Sequence, residues 1–427
     1  MHIGSVRTAL YAYLWARKSD GQFLLRIEDT DKAREVAGSI EHIMESLRWL
    51  GLDWDYGPQK PGPFGSTIQS ERLSSYREFA QQLADRGLAY PDPFTESEVD
   101  EFRKKAELEK RPFLFREHRP EAFGIWDVKS PLRFKVPVIK RYAWTDAVRG
   151  TLNAGEEALD DFILMKGDGY PTYNFAHIID DHLMGVTHIF RADEFIASTP
   201  RFLSLYDALS MPYPVFVTLP PILREDKTKK LGKRDGAKDV LDYRTLGYLP
   251  DALRNYLAFI GWNPGTEQEL FSLDELVEAF SIDGIQTHGA VFNEDKLLWF
   301  NKEYIRRLSD AEFLDKVTSE IPDSIQKLPG WDKNVLARAL PVLRDHIHTF
   351  GDIATMAESG DLSFYFSLPN PAREELGWKS TPNDVTAEHL KHVIQILELQ
   401  STWTPESLKE ALWEYASERG GERCSGP

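Results

Sequence analysis

Two stretches of this sequence carry residues suited to handling phosphate. His2-Ile3-Gly4-Ser5 stands directly ahead of a helix-prone run. The free N–H groups and positive dipole end of a helix attract anions, phosphate above all. Gly4 has no side chain to hold a ligand away from the backbone. Far downstream, Lys227-Thr228-Lys229-Lys230-Leu231-Gly232-Lys233-Arg234 is a dense cationic loop. It reads either as a solvated basic loop or as a mobile clamp on a polyphosphate, whose ammonium groups would neutralise charge developing on a transferring phosphoryl group. Acidic residues gather at Glu28-Asp29-Thr30-Asp31 and at Asp180-Asp181-His182. The latter has metal-ligand residue types, but neighbours on one element point apart, so capping and hydrogen bonding are expected of it.

These residues need a scaffold, and the spacing of apolar residues predicts one. Val6, Ala9, Leu10, Tyr13 and Leu14 share one helical face, and Gly21 is the expected stop. Phe23-Leu24-Leu25-Arg26-Ile27 reads as a buried strand of a parallel sheet. Helices follow over Arg34 to Leu50 and Ser70 to Arg86, with Gly51 and Gly87 as caps and a Pro/Gly-rich loop, Trp54 to Gly65, between them. From Ala89 the character shifts to an α+β insertion, with a solvated helix at Glu96 to Lys110 and strand-like pieces at Leu132 to Val136 and Tyr142 to Trp144. The α/β pattern resumes with strands at Phe162 to Met165 and His188 to Arg191, the second ending in Asp193-Glu194-Phe195. Ligands bind at such strand ends in open α/β sheets. Helices dominate beyond Leu249 and run almost unbroken from Ala311.

At 427 residues the chain is long enough for several domains, and it contains no apolar run of membrane-spanning length. Its single cysteine, Cys424, rules out an internal disulfide framework and a multi-cysteine zinc site, and suits a reducing compartment. A net charge of −17 argues against indiscriminate nucleic-acid binding but leaves room for a local basic surface.

Taken together, the motifs resemble those of glutamyl-tRNA synthetase of the bacterial or organellar type, a class I aminoacyl-tRNA synthetase, over essentially the whole chain. His2-Ile3-Gly4-Ser5 is similar to the His-Ile-Gly-His signature, and Arg26-Ile27-Glu28-Asp29-Thr30-Asp31 to a block that differs in glutaminyl-tRNA synthetases. Asp168 to Ala176 and Asp180 to Gly185 match the second-half signature, and Lys230-Leu231-Gly232-Lys233-Arg234 resembles the Lys-Met-Ser-Lys-Ser loop. The resemblance implies an α/β fold: a Rossmann-like catalytic domain (1–75 and 167–226) interrupted by an acceptor-end-binding insertion (76–166). A stem-contact domain (227–308) and an all-helical anticodon-binding domain (309–427) would follow. It implies ATP-dependent attachment of glutamate to tRNA(Glu) through a glutamyl-adenylate.

His2, Lys230 and Lys233 would be catalytic, and His2, Gly4, Lys230, Leu231, Lys233 and Arg234 would bind ATP. Glu28, Tyr173, His177 and Arg191 would bind glutamate, with Phe195 a further pocket member. Mg²⁺ would arrive with ATP. Some relatives hold zinc through cysteines where this chain has Tyr90-Pro91-Asp92-Pro93-Phe94, so no zinc is expected. Arg344 and His346 fall near an expected anticodon-reading arginine. A monomer in the cytoplasm, or in an organelle, is implied, with no membrane partner.

The family places a strand and loop, with an arginine and a serine that contact the amino acid, before the His-Ile-Gly signature. Met1 is therefore expected to be an internal methionine taken as the start, and the far end to stop inside the distal anticodon domain. A non-catalytic tRNA-binding remnant is the alternative reading. Intact His2, Glu28, Arg191 and Lys233 favour the enzyme.

Overall fold

The computed structural model describes residues 1–32, 36–227, 229–232, 238–370, 372 and 381–418. They divide into two compact units, one of Met1–Ile321 with Ala337–Met356, the other of Pro322–Leu336 with the residues from Ala357 onward.

The first unit opens with α1 (Ile3–Lys18), which buries Val6, Leu10 and Leu14 completely. Each such side chain contributes roughly 1.5–3 kcal/mol. The buried face is wider than the spacing suggested. Ala9 and Tyr13 are only half-buried, while Ile3, Arg7 and Tyr11 are enclosed. Arg7 donates to the Ile260 and Pro220 carbonyls, and the Tyr11 hydroxyl bonds to the Ala258 and Ile260 carbonyls, so a second wall covers the helix. The stop also differs in detail. Asp20, not Gly21, takes the left-handed conformation (φ 50°), and the Gly21 amide returns to the Ala16 carbonyl at 2.8 Å. This is a Schellman-type end with an aspartate in the glycine's usual place.

Phe23 to Ile27 is extended but forms only isolated parallel bridges, Leu24 to Tyr56 and Ile27 to Ile68, instead of a continuous ladder. Its partner stretch contains Pro58, Pro61 and Pro63, which have no N–H to donate. Next come α2 (Ser39–Trp49), which begins after Val36-Ala37-Gly38, the expected start at Arg34 lying outside the described residues, and α3 (Leu73–Asp85), then β1 (Ala89–Pro91) and α4 (Glu96–Leu108). Ala106 is the only buried residue of α4, which suits a solvated helix, and Thr95 and Glu98 form its capping box.

β2 (Leu132–Phe134), the hairpin of β3 (Tyr142–Asp146) and β4 (Gly150–Ala154), and β5 (Phe162–Met165) lead to α5 (Tyr173–Leu183). β5 does not resume a parallel sheet: it pairs antiparallel with β2 in the three-stranded order β1-β2-β5. Then come β6 (His188–Ala192), α6 (Thr199–Leu209), β7 (Val215–Leu219) and β8 (Ile222–Leu223). β6 and β7 pair in parallel, and the second sheet has the order β4-β3-β7-β6. Tyr142 to Trp144, read from sequence as a strand-like piece of the insertion, thus lies in the sheet of β6, and β4 and β7 were not anticipated. One apolar core gathers α1, α2, β7 and the helices between residues 240 and 307; another gathers α3, the antiparallel sheet, α5 and α6.

α7 (Val240–Thr245) was not anticipated; beyond Leu249 helices follow as expected: α8 (Pro250–Phe259), α9 (Leu273–Ala279), then after β9 (Ala290–Val291), α10 (Glu294–Arg307) and α11 (Asp310–Glu320). Beyond these are α12 (Asp323–Gln326), α13 (Lys333–His346), α14 (Asp352–Ser359), α15 (Asn383–Glu398) and α16 (Pro405–Glu418). In the second unit α15 packs on α16, where His389 Nδ1 lies 2.6 Å from the Tyr415 hydroxyl. No helix among the described residues is long and apolar enough to cross a membrane.

The first unit is tied across its sequence by Asp180, wholly buried on α5. It accepts hydrogen bonds from Gln69 (2.9 Å), Arg72 (2.8 Å) and Tyr76 (2.7 Å). Removing one partner of a buried ion pair strands the other charge. Asp180→Ala is therefore expected to lower the unfolding free energy by about 3–5 kcal/mol. A urea titration followed by far-ultraviolet circular dichroism checks this.

Candidate active site

Two neighbouring features of the first unit hold the residues singled out above. The first is a cavity of about 510 Å³ at the start of α1, lined among others by His2, Gly4, Glu194, Lys230, Leu231 and Gly232. The structure thus brings the two phosphate-suited stretches together. His2 is the N-cap of α1, and its Nδ1 accepts from the Gly4 amide at 3.0 Å. That fixes the tautomer: the proton is on Nε2, which sits 3.2 Å from the Ser5 hydroxyl. Gly4 matters for a different reason from the one expected. A Cβ there would lie 2.8 Å from the His2 ring, so the glycine lets histidine fold over its own helix end.

Lys230 makes an isolated bridge to Leu223, and its ammonium pairs with Glu194, with Asp193 at 3.9 Å. Leu231 is anchored by its amide to the Ile222 carbonyl at 2.8 Å. The expectations for Lys233 and Arg234 lie outside the described residues.

The second feature is a cluster of polar and aromatic side chains set on the ends of Phe23–Glu28 and β6 and on α5. Tyr173 and His177, one turn apart on α5, stack with ring centroids 4.6 Å apart, and Phe195 lies 5.7 Å from Tyr173. His177 Nδ1 must donate to the Tyr173 carbonyl (2.7 Å), which can only accept, so Nε2 is left as an acceptor. Burial pushes the His177 pKa below its ordinary value and keeps the ring neutral at neutral pH. Arg191 is enclosed, donates to the Thr199 hydroxyl at 2.7 Å and sits 4.1 Å above the Phe216 ring. Burial lowers its pKa from the ordinary guanidinium value, with Asp146, Tyr173, Tyr206 and Asp181 acting against that. Glu28 accepts from Arg26 at 3.0 Å, and Arg26 also donates to Asp181 at 2.6 Å.

Glu28, Tyr173, His177 and Arg191 are therefore grouped, as expected, but three members of the group were missed. Arg26 and Asp181 each belong to a block noticed in the sequence, and only the fold reveals that they pair. Tyr206, an apparent core residue of α6, gave no signal. Among the described residues, Arg191 Nε, Asp181 Oδ2 and the Tyr206 hydroxyl are buried without a hydrogen-bond partner. Buried polar atoms seldom stay unsatisfied, and three of them in one group are positions that a polar ligand could satisfy. Tyr206 is linked to Asp181, Arg26, Arg191 and Tyr173 by charge interactions, and burial pushes its hydroxyl pKa far up, so it can donate.

Arg344 is differently occupied. It donates to the Leu308 carbonyl (2.5 Å) and to Asp310 (2.7 Å) and lies 4.6 Å over Phe313. His346 bonds through Nδ1 to the Val342 carbonyl. Asp92, in the stretch where zinc was not expected, pairs with Arg133.

Comparison with known proteins bears on the chain as a whole. Residues 1–299 match the family described as "tRNA synthetases class I (E and Q), catalytic domain", and residues 306–422 match "Anticodon binding domain". A "Glutamate--tRNA ligase" of Clostridium botulinum (strain Hall) is 38% identical over 432 residues, covering 98% of this chain and 86% of the relative. One from Anaeromyxobacter sp. (strain Fw109-5) is 41% identical over 354 residues, covering 82% of this chain and 74% of the relative. A crystal structure of a glutamate tRNA ligase from Elizabethkingia meningosepticum, in complex with its amino acid, superimposes with a TM-score of 0.82 at 30% identity, covering 98% of this chain and 88% of that one. The phosphate-suited helix end, the cationic loop and the carboxylate-suited pocket therefore sit in a chain that belongs to the glutamate–tRNA ligase family of class I tRNA synthetases.

Proposed function

We propose that this chain joins glutamate to tRNA(Glu) in two steps. In the first, a glutamate α-carboxylate oxygen attacks the α-phosphorus of ATP, forming glutamyl-adenylate and releasing pyrophosphate. In the second, the 3′-terminal hydroxyl of tRNA attacks the adenylate carbonyl and AMP leaves. Neither step needs a protein nucleophile; both need positioning and charge stabilisation.

The observation that carries this reading is Arg191: an enclosed guanidinium with an unpartnered Nε, beside the equally unpartnered Tyr206 hydroxyl. A planar fork of this kind suits the side-chain carboxylate of glutamate. Glu28 and the neutral acceptor His177 Nε2 would face the α-ammonium group, while Tyr173 forms the wall. In the other cavity His2 Nε2–H and the first amides of α1 would meet the ATP phosphates. Lys230, on leaving Glu194, would join Lys233 and Arg234 on the same phosphates. Mg²⁺ would enter as part of the nucleotide substrate and keep most of its water. Within 76–166, the antiparallel sheet β1-β2-β5 and its helices would grip the acceptor end. Residues 227–308 would follow the stem, and the helices from 309 would read the anticodon. A cytoplasmic location fits the single cysteine, and the chain would act as a monomer.

The test is incorporation of labelled glutamate into tRNA, with glutamine as the control amino acid. Binding of tRNA without any charging would favour the non-catalytic reading. Arg191→Lys keeps the charge but loses the fork. It is expected to raise the KM for glutamate about 10- to 100-fold, matching roughly 1.5–3 kcal/mol for a charged hydrogen bond, while leaving the KM for ATP within a few-fold. Lys230→Ala removes a transition-state contact and is expected to cut glutamate-dependent pyrophosphate exchange by about 100- to 1,000-fold in kcat.

A further inference from the structure

Strand β7 runs between two buried side chains of opposite charge. On one side of it β3 meets β7 at Asp146, opposite Phe216; on the other, β6 sets Arg191 opposite Thr218. Phe216 and Thr218 are two residues apart on a strand and therefore face the same way. The Arg191 guanidinium lies 4.1 Å from the Phe216 ring, and the Thr218 hydroxyl donates to Asp146 Oδ2 at 2.5 Å, so both charges stand on that face of the sheet. Asp146, Thr218 and Arg191 are all buried.

The surroundings of Asp146 solvate its carboxylate without cancelling its charge. Oδ1 accepts from the Val148 and Arg149 amides, both at 3.0 Å, and from the Thr218 amide at 3.3 Å. These donors, like the Thr218 hydroxyl, are neutral. Arg191 likewise donates to a neutral group, the Thr199 hydroxyl. A buried charge held by neutral groups keeps its field, and a poorly screening interior carries that field to an opposite charge across one intervening strand. Two strand spacings of ~4.8 Å set the scale of the separation at about 10 Å. Burial lowers the Arg191 pKa, and Asp146 stands first among the groups that act against it. The turn after β3 does not need this charge. An asparagine or serine oxygen would accept from the Val148 and Arg149 amides as well.

We propose that Asp146 is the resident counter-charge of Arg191 and sets how strongly the pocket holds the side-chain carboxylate of its amino acid. The inference rests on the function proposed above. Asp146 is placed behind Thr218 and acts through Arg191, which makes it a positioning residue. In the empty pocket it offsets part of the buried cation. When the substrate carboxylate arrives, two anions share one guanidinium, and the acid is held less tightly than by an unopposed arginine. That carboxylate takes no part in the bond changes, so its contact is the same in the ground and transition states and Asp146 acts on KM, not on kcat. A neutral amide offers no charge for Asp146 to oppose.

The experiment measures tRNA charging by the full chain, giving the KM for glutamate and for ATP and the inhibition constant of glutamine. Asp146→Asn keeps the turn acceptor and removes the charge, while the Thr218 hydroxyl can rotate to accept. It is expected to lower the KM for glutamate about 5- to 20-fold, with kcat no higher, the glutamine constant within twofold and the KM for ATP within a few-fold. Asp146→Ser reaches the same neutral state with a smaller side chain and is expected to shift the KM in the same direction. Thr218→Val breaks the link between the strands but leaves the charge, and is expected to keep the KM for glutamate within about threefold. An unchanged or raised KM for glutamate in both Asp146 variants would overturn the proposal. So would a parallel fall for glutamine, or the same fall in Thr218→Val, since either would make the effect one of packing. Loss of ATP binding by both Asp146 variants would make the residue structural and overturn it too. If the unsubstituted chain charges no tRNA with glutamate, the proposed function fails and this inference with it; if that chain charges and the variants shift nothing, this inference alone fails.

Discussion

The site depends on a pair of carboxylates that cannot be left uncompensated. Asp180 and Asp181 lie side by side near the end of α5, both buried. Taking a carboxylate out of water costs several kcal/mol unless hydrogen bonds and an opposite charge replace the solvent. Asp180 obtains them from the start of α3 and the turn before it, Asp181 from Arg26. Because the two side chains diverge, they pull on different segments, and together they fix the rotation and height of α5 against the first part of the chain. Tyr173 and His177 lie one to two turns earlier on that helix, so their placement beside Glu28 and Arg191 follows from the same contacts.

Much of this was legible in the sequence, for identifiable reasons. The helical period of α1, α2 and α3 survives because each packs a continuous apolar face, and Gly51 and Gly87 take the left-handed caps read for them (φ 72° and 66°). The hydrogen-bonding role of Asp180-Asp181 followed from residue geometry alone. What failed was whatever depended on a distant partner. Phe23–Ile27 is as apolar as a central strand, yet whether it forms a ladder is decided by the proline-rich stretch across from it. β5 has the composition of a parallel strand, yet β2 pairs with it in the opposite sense. β7 is a five-residue run between Pro214 and Pro220, too short for periodicity to speak, although it lies between β3 and β6.

The same division holds in the pocket. Charged residues in compact motifs, such as Glu28 and Lys230, could be picked out, because their types and spacing are unusual. Tyr206 could not, since a tyrosine among Phe202, Leu203 and Leu205 looks like any core residue until its hydroxyl is found buried and unpaired. Arg191 stands between these cases. The sequence placed it at a strand end; only the structure shows that Phe216 lies beneath it and that one of its donors is unused.

Burying that arginine carries a cost, and the cost bears on selectivity. A guanidinium over Phe216, with only Thr199 as a hydrogen-bonding partner among the described residues, is less well solvated than in water, and its pKa is lowered accordingly. The aromatic face returns part of the loss through cation–π attraction. A ligand carboxylate returns more, because it brings an opposite charge into a site where water screens poorly. A neutral amide of the same size fills the space but leaves the cation uncompensated and turns N–H donors toward N–H donors. Discrimination between the acid and its amide can therefore rest on a group that is less comfortable before the substrate arrives, with the buried hydroxyl of Tyr206 available as a second donor to the carboxylate.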